Sequence, residues 1–345
     1  MGAGLIGTSI ALKLVELGWD VEIEDADPAA RKLARDLLGS KASNLVASPA
    51  IVLIATPTDV AFSVLADQFR QNPQAIFIDV GSTKNNLQVQ VEGISGLSER
   101  FIGTHPIAGR EISGAEGARS DLFQSRAWIL TPSTANRPDD IEFVKSFIRG
   151  LGASPYEMTS DSHDQLFARI SHLPQILSTA LAISVDGVAD QIELAGQGLR
   201  DQLRLAGSNG RLWSGILSLN REEVVSALDE LIQILNQLRD DIFDKNETAI
   251  QRLFASANAV HARLSGKHGS KPRAYTYLNV VIADKPGQLS ALFNECAEVS
   301  ANVEDISLEH SPNQETGLIQ LALSDVDAQR LFSHLLAKGW KVHKA

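Results

Sequence analysis

The chain of 345 residues contains a single cysteine, Cys296, which excludes an intrachain disulfide and a cluster of thiolate metal ligands. Positive charge is also scarce, since 31 lysines and arginines face 42 aspartates and glutamates and leave a formal net charge of −11. This balance argues against nonspecific binding to nucleic acid or to anionic membranes, although a local basic pocket is compatible with it.

Long hydrophobic runs are missing as well. No apolar stretch reaches the roughly 20 residues that a membrane-spanning helix needs, and the N-terminus shows no basic and then apolar signal peptide. We therefore expect a cytoplasmic protein without a membrane partner. The 44% hydrophobic and 21% charged residues are those of a globular protein long enough for two or three domains.

A glycine motif opens the chain, in MGAGLIGTSIALKL. Gly2, Gly4 and Gly7 form G-x-G-x-x-G, followed by a predicted helix whose N-terminus can receive a pyrophosphate. The motif normally follows a buried strand at the centre of a doubly wound sheet, but only Met1 precedes it here. We therefore interpret Met1 as a misplaced or alternative start and expect a short apolar strand of roughly 6–10 residues upstream.

Up to about residue 150, short apolar stretches alternate with helical patterns. The predicted strands are DVEIEDADP at 20–28, IVLIATP at 51–57, AIFIDVGS at 75–82, FIGTHP at 101–106 and AWILTP at 127–132, with a helix at 28–38. This alternation predicts a doubly wound parallel sheet, whose ligands bind beyond the carboxyl ends of the strands. Polar motifs containing Thr56, Ser82 and His105 fall at those ends.

The glycine motif alone is a weak signal, because a glycine loop can also close a helix that binds nothing. Asp25 strengthens the cofactor interpretation, since it ends the next predicted strand 18 residues after Gly7. A carboxylate there can accept hydrogen bonds from a ribose 2′-hydroxyl and repels a 2′-phosphate, which favours NAD over NADP. Arg31 and Lys32 lie nearby in the sequence and could weaken that preference.

The pattern changes after residue 153. Residues 154–265 show helical periodicity with broad apolar faces, which need a partner, and a second copy of the chain is the expected one. Residues 266–273, GKHGSKPR, have the composition of a linker. Residues 274–345 give the order βαββαβ, which predicts a small two-layer α+β domain.

His105 is the first candidate for catalysis, in THPIAGREISG. A lone histidine is more often structural, but a neutral imidazole at the edge of the predicted crevice could accept a proton from a substrate hydroxyl as hydride leaves the same carbon. Ser82 and Lys84 follow the preceding strand and should lie close to it.

The helical block offers further candidates. His172 precedes a proline and either packs or lines a site. Arg200, Arg204 or Arg211 could clamp a carboxylate bidentately, and spacing does not decide among them. The remaining histidines, among them His163, are scattered without ligand spacing, so we predict no metal site.

Together these stretches resemble the prephenate/arogenate dehydrogenase family of tyrosine biosynthesis. The resemblance rests on GAGLIGTSIA, DVGSTK, THPIAGREISG, SHLP and GLRDQLRLA. The last 70 residues resemble an ACT domain, a regulatory module that often binds amino acids, through DKPGQL, NVEDI and GW-x-V. The resemblance implies a Rossmann-like NAD-binding domain at 1–153, an all-α substrate and dimerisation domain at 154–265, and an ACT-like domain at 274–345.

The family's reaction is the NAD(P)-dependent oxidative decarboxylation of a cyclohexadienyl substrate. The resemblance implies that His105 polarises or deprotonates the 4-hydroxyl, that Ser82 hydrogen-bonds this hydroxyl and the histidine, and that Arg204 holds a substrate carboxylate. The other implied substrate-site residues are His172, Gln175, Glu111 and Asp201, and the implied cofactor-binding residues are Gly2, Gly4, Leu5, Ile6, Gly7, Asp25 and Thr56.

One departure leaves the substrate open. Gln175 replaces the second histidine of the SHLPH that many relatives have, near the substrate side chain, which is a keto acid in prephenate and an amino acid in arogenate. We favour prephenate, with tyrosine or another aromatic amino acid as inhibitor. Two alternatives are another hydroxy-acid dehydrogenase, disfavoured by the HPIAG and SHLP motifs, and an inactive amino-acid sensor, disfavoured because His105, Ser82 and Arg204 occur together.

Overall fold

The computed structural model describes residues 1–39, 48–109, 114–264, 275–310 and 316–344. They divide into two compact units, Met1–Gln237 and Leu238–Ala345, and helix α11 passes from one to the other. The predicted linker at 266–273 lies outside the described residues.

The first unit combines a five-stranded sheet with helices. Its strands are β1 (Ile51–Ile54), β2 (Ile76–Asp79), β3 (Phe101–Pro106), β4 (Ala127–Thr131) and β5 (Ser154–Glu157). Its helices are α1 (Leu5–Glu16), α2 (Pro28–Leu38), α3 (Thr58–Gln71), α4 (Asn85–Glu92), α5 (Leu97–Arg100), α6 (Pro138–Gly150), α7 (Ser160–Phe167), α8 (Leu173–Ser184), α9 (Gln197–Leu203), α10 (Gly210–Leu219) and α11 (Arg221–Phe243).

The sheet has the order β1-β2-β3-β4-β5 and is parallel except at one pair. β4 runs antiparallel to β3, with His105 opposite Ile129, so the prediction of an all-parallel sheet is wrong at this pair. Parallel neighbours need a crossover, usually an α-helix, whereas the described residues between β3 and β4 contain only a short 3₁₀ turn. The edge strand β5 was not predicted, because its SPYE sequence has no apolar run and is mostly exposed.

The sheet carries its core on both faces, as its β-branched and aromatic strands require. Phe77, Ile78, Ile102 and Leu130 are each at most 1% exposed. This packing fixes the carboxyl ends of β2 and β3, where the polar motifs of the sequence begin.

The strand predicted at 20–28 does not form beyond an isolated bridging residue, Val21. Its backbone is hydrogen-bonded to Gly2, whose N–H donates to the Glu24 carbonyl at 2.7 Å. On the other side the Met1 amino group donates to the Leu53 carbonyl at 2.8 Å, and burial lowers the pKa of this amino group to about 6. Two residues are too few to pair a whole strand, so this prediction is wrong.

A cavity of about 640 Å³ adjoins these two residues. It is lined by residues 19–24 on one side, by residues 49–53 on the other, and by Ile10, Ala11 and Leu14 of α1. The expected upstream strand stays a prediction.

One helical stretch, Ser160–Val188, is long and apolar enough by length and composition alone to cross a membrane, with a mean hydropathy of 1.2. A single stretch of this kind is a weak indication, since core helices of folded proteins share the property. Its buried positions include His163, Asp164 and His172. We therefore interpret the stretch as part of the folded first unit.

The second unit confirms the predicted βαββαβ order. After α12 (Glu247–Leu264) follow β6 (Thr276–Ala283), α13 (Gln288–Glu298), β7 (Val303–His310), β8 (Thr316–Leu323), α14 (Asp325–Ala337) and β9 (Lys341–Lys344). The sheet is antiparallel with the order β7-β8-β6-β9. Leu278, Val280, Ile319, Leu321 and Leu331 are fully buried in its core.

Glu295, Glu298 and His334 in this unit place one ligand atom each within 4.8 Å of one another. The Lys338 ammonium lies 3.2 Å from the Glu298 carboxylate and 3.9 Å from that of Glu295. We assign this group to the ion pair with Lys338 rather than to a metal.

Candidate active site

A buried lysine organises the carboxyl ends of β2 and β3. The Lys84 ammonium donates to the Asp79 carboxylate and to the Thr104 carbonyl, the latter at 2.6 Å. Asp79 in turn accepts from the Thr104 N–H at 2.9 Å. Burial lowers the pKa of Lys84, and the Asp79 carboxylate offsets part of this effect. The ends of β2 and β3 are therefore joined by the Lys84–Asp79 ion pair as well as by the backbone hydrogen bonds of the sheet.

The backbone of the same lysine joins this edge to the helical part of the unit. The N–H groups of Lys84 and Asn85, at the start of α4, donate to the two carboxylate oxygens of Asp164 in α7, each at 2.9 Å. An acidic side chain at a helix N-terminus is favourable because it satisfies free N–H groups. Asp164 is 2% exposed, so these bonds are shielded from water.

His105 follows Thr104 directly and meets α7. Its Nδ1 lies 2.9 Å from Nε2 of His163, and Nδ1 of His163 lies 2.7 Å from the Asp164 carboxylate. Phe167 stacks on the His163 ring at 4.3 Å and contacts His105 at 4.8 Å between centroids. His163 is fully buried, whereas His105 keeps an exposed part.

Burial is the main cause that lowers the pKa of His105 well below its ordinary value of 6.5, and neighbouring His163 and Lys84 add to it. Burial also lowers the pKa of His163, with the hydrogen bond to Asp164 opposing it. Both imidazoles are therefore neutral near pH 7. A neutral imidazole can accept a proton, as the predicted role of His105 requires.

His172 lies deeper, 1% exposed. Its Nδ1 lies 3.2 Å from the amide nitrogen of Asn220, which also donates to the Asp164 carbonyl at 2.8 Å. Trp213 packs edge-on against its ring. Burial lowers its pKa to about 4. The structure thus gives His172 a packed, hydrogen-bonded place that is linked to Asp164 through Asn220.

Gln175 holds the segment that carries the candidate arginine. Its amide donates to the Leu205 carbonyl at 2.8 Å, and its oxygen accepts from the Ser208 hydroxyl at 3.1 Å. Ser178, one turn on, donates to the Gln202 carbonyl at 2.6 Å. Residues 202–208 are therefore fastened to α8, and Arg204 lies at the centre of this fastened segment.

The remaining predicted substrate residues make fewer side-chain hydrogen bonds among the described residues. Arg204 and Asp201 are exposed, and Asp201 accepts from Gln197 at 2.7 Å. Ser82 is half-buried in the loop after β2, and no hydrogen bond joins its side chain to His105 among the described residues. Glu111 lies outside the described residues.

The glycine turn is shaped as a close backbone approach requires. A Cβ on Gly7 would lie 2.0 Å from the Gly2 carbonyl oxygen, and a Cβ on Gly2, whose φ is +98°, would lie 2.4 Å from the Ala55 oxygen. A Cβ on Gly4 would meet nothing within 4 Å. Gly4 begins α1 without a side-chain cap, and Leu5 and Ile6 form its first turn. The N-terminus of α1 can therefore receive a phosphate group.

The acidic residues beside this turn have separate partners. Asp25 accepts from the Ala3 N–H at 2.7 Å and from the Asp27 N–H at 2.8 Å. Glu24 is paired with Arg31 at 2.9 Å and with Arg35. Arg31 is therefore held by Glu24, and Asp25 is the carboxylate bonded directly to the glycine turn.

Two threonine hydroxyls near the turn have no hydrogen-bond partner among the described residues, although both oxygens are buried. They belong to Thr8, in α1, and Thr56, which follows β1. Buried polar atoms normally have partners. With the glycine turn, they fit a bound dinucleotide.

Sequence reasoning missed His163 and Asp164. The approach of His163 to His105 joins residues 58 positions apart, which no local pattern contains. The available signal was the adjacent His-Asp pair near the start of the predicted helical block, nine residues before His172.

Two family descriptions match most of the chain. Residues 10–157 match "Prephenate dehydrogenase, nucleotide-binding domain". Residues 159–256 match "Prephenate dehydrogenase, dimerization domain".

Individual proteins agree with these matches. A prephenate dehydrogenase of Bacillus subtilis is 27% identical and covers 95% of this chain and 92% of its own length. The structure of an Aquifex aeolicus prephenate dehydrogenase in complex with hydroxyphenyl propionate and NAD+ is 26% identical, has a TM-score of 0.68 and covers 75% of this chain and 95% of that one. The structure of a Synechocystis arogenate dehydrogenase is 27% identical and has a TM-score of 0.65. The match covers 75% of this chain and 96% of that one.

Substitutions at two of the three glycines of the turn should separate stability from cofactor binding. Gly7→Ala places its Cβ against the Gly2 carbonyl, so we expect the free energy of unfolding in urea to fall by about 1–3 kcal/mol. Gly4→Ala should cost less than about 1 kcal/mol but weaken NAD binding about tenfold or more by calorimetry, because its Cβ enters the space of the pyrophosphate. Unchanged NAD affinity in Gly4→Ala would contradict this placement of the cofactor.

Acid should destabilise the first unit through its buried histidines. The pKa of His172 is lowered to about 4, so between about pH 6.5 and 4 the unfolded chain binds a proton that the folded chain does not. We expect stability to fall as the pH drops through this window. His172→Asn should remove a part on the order of 2 kcal/mol of that loss. The exposed His343→Asn is the control, and equal pH profiles for all three proteins would refute the assignment.

Proposed function

Because this chain belongs to the prephenate dehydrogenase family, we propose that it converts prephenate to 4-hydroxyphenylpyruvate by NAD-dependent oxidative decarboxylation. The observation that carries the proposal is a neutral histidine, His105, at the carboxyl end of β3, hydrogen-bonded to His163 through Nδ1 and partly exposed. The family match supplies the reaction class, and this histidine supplies a group suited to its hydroxyl.

The cofactor is held by the glycine turn at the start of α1, with Asp25 positioned for the adenosine ribose. NAD, when bound, supplies the acceptor for the hydride that leaves C4 of the substrate ring. The carboxylate of Asp25 and the engagement of Arg31 with Glu24 favour NAD over NADP.

His105 acts on the substrate hydroxyl. Its neutral imidazole accepts the hydrogen bond, and then the proton, of the 4-hydroxyl as the C4 carbon is oxidised. Because the ring becomes aromatic as CO2 leaves, the reaction is strongly downhill, and the protein mainly has to orient the ring. His105 can help to orient the substrate ring because its own imidazole is held by His163 and Phe167.

Arg204 is the carboxylate-binding residue of this proposal, supported by its match to the family motif and by the segment that carries it. Gln175 and Ser178 fasten residues 202–208 to α8. A guanidinium on a fastened segment loses less entropy when it forms a bidentate pair.

We favour prephenate over arogenate because of how Gln175 is used. Family resemblance places position 175 near the substrate side chain, and the Gln175 oxygen already accepts from Ser208. Ser208 uses one of the two lone pairs of this oxygen, so an amino group there would have to share the acceptor with Ser208, whereas a keto group needs no acceptor. The Synechocystis relative keeps arogenate as the second candidate.

The active protein is a homodimer in this proposal. Residues 159–256 match a dimerisation domain. Large apolar side chains are exposed on α11 and α12, namely Val225, Ile232, Ile234, Leu235, Ile242, Phe243, Leu253, Phe254 and Val260. Burial against a second copy would remove this surface from water.

Regulation by an aromatic amino acid is proposed for the second unit, whose βαββαβ order and DKPGQL motif resemble an ACT domain. A cavity of about 350 Å³ lies at this motif, lined by residues 282–289 with Leu308 and Gly317. Its size suits a single amino acid, and we propose tyrosine as the effector.

The assay that tests the reaction follows NADH formation from prephenate and from arogenate. We expect turnover of prephenate, and His105→Asn should lower kcat by about 10²–10⁴-fold while NAD affinity by calorimetry stays nearly unchanged. A kcat that is unchanged or only slightly lowered in the variant would remove His105 from catalysis. Turnover of neither substrate by the wild type, with tyrosine bound but no NAD bound, would instead support an inactive amino-acid sensor.

The regulatory proposal is tested with tyrosine in the same assay. Leu308→Arg places a large charged side chain at the cavity and should raise the tyrosine concentration for half-inhibition about tenfold or more. Val326→Arg, at an exposed position outside the cavity lining, is the matched control. Inhibition that is equal in both variants would show that tyrosine acts elsewhere.

A further inference from the structure

His163 and Asp164, which sequence reasoning set aside, form a chain of hydrogen bonds that ends at His105. Asp164 is joined to Nδ1 of His163 at 2.7 Å, and Nε2 of His163 is joined to Nδ1 of His105 at 2.9 Å. His163 and Asp164 are 0% and 2% exposed. Of the three residues joined by these hydrogen bonds, only His105 is partly exposed.

The donor and the acceptor of each hydrogen bond in this series follow from Asp164. A carboxylate can only accept, and Asp164 already accepts from the N–H groups of Lys84 and Asn85. Nδ1 of His163 must therefore carry the proton that it shares with Asp164. A neutral His163 is then left with a lone pair on Nε2 and can only accept from His105.

The same reasoning sets the proton of His105. Its Nδ1 must be the donor to His163, and a neutral imidazole carries one proton. Nε2 of His105 therefore keeps a lone pair, and it has no hydrogen-bond partner among the described residues. Burial supports the neutral state, since it lowers the pKa of both histidines.

We propose that His163 and Asp164 are positioning residues that fix His105 as its Nδ1–H tautomer, so that Nε2 presents a lone pair to the substrate hydroxyl. This inference rests on the proposed function for the identity of that hydroxyl. Phe167 assists by packing on both rings, which restricts their rotation. The device resembles a carboxylate that orients a catalytic histidine, with a second imidazole inserted between them.

For catalysis, the proposal concerns the populations of the two neutral tautomers of His105. Without the acceptor at His163, His105 would divide between two tautomers, and the one with its proton on Nε2 cannot accept from the hydroxyl. When the hydroxyl proton moves to Nε2, His105 becomes an imidazolium whose Nδ1–H still donates to His163. The bond that orients the base in its resting state is thus kept through proton transfer.

Two variants of His163 test the proposal because their amides reach different positions of the imidazole. His163→Gln can place an oxygen near Nε2 and still accept from His105, whereas His163→Asn reaches only the position of Nδ1. We expect His163→Asn to lower kcat/KM about 10²-fold with the KM for NAD nearly unchanged. His163→Gln should recover about tenfold of that loss.

A merely structural role for His163 predicts the same activity in both variants at the same stability, and that result would overturn the proposal. Thermal unfolding measures the stability, and His343→Asn, exposed in β9, should behave as wild type in both assays.

Nitrogen-15 NMR of histidine-labelled wild-type protein, without substrate, measures the tautomer of His105 directly. We expect a protonated Nδ1 and an unprotonated Nε2. A protonated Nε2 would overturn the proposal even if both variants failed to fold. This measurement needs no turnover, so a failure of the proposed reaction and a failure of the tautomer assignment give separate results.

Discussion

The buried ion pair of Lys84 with Asp79 is the constraint on which the rest of the site depends. Burying an ammonium is costly unless it is paired and hydrogen-bonded, and Lys84 is paired with Asp79 and donates a second hydrogen bond to the Thr104 carbonyl. The lysine thereby locks the end of β3 to the end of β2. Removing Asp79 or Lys84 alone would leave an unpaired buried charge, so this edge cannot rearrange cheaply.

The consequences reach both halves of the site. Thr104 is followed by His105, and the backbone of Lys84 binds the carboxylate that follows His163. One residue thus sets the distance between His105 on the sheet and the His163 imidazole on α7. The glycine turn depends on a different constraint, the close contact of Gly2 and Gly7 with backbone oxygens. His105 and the glycine turn are therefore positioned by separate contacts within one unit, and a defect in one need not disturb the other.

The sequence predicted what local patterns encode. Runs such as IVLI and FIGTHP become strands where expected, Pro28 and Leu38 bound α2, and the βαββαβ order appears in the second unit. The antiparallel direction of β4 and the lack of a regular strand at residues 20–28 were not predictable, because each depends on which strand is the neighbour. The exposed β5 was not predictable because its sequence has no apolar run. The same holds for the site, where His105 was identifiable from its motif but its partner His163 is a product of tertiary contact.

The central claim is that His105, oriented through His163, receives the hydroxyl of the substrate ring at its Nε2. The most direct test is a crystal structure of this protein with NAD and hydroxyphenyl propionate, a ligand already seen in the Aquifex aeolicus relative. We predict the phenolic oxygen within hydrogen-bond distance of Nε2 of His105, with Nδ1 still bound to His163. A phenolic oxygen held elsewhere, with Nε2 turned away from the ring, would contradict the account.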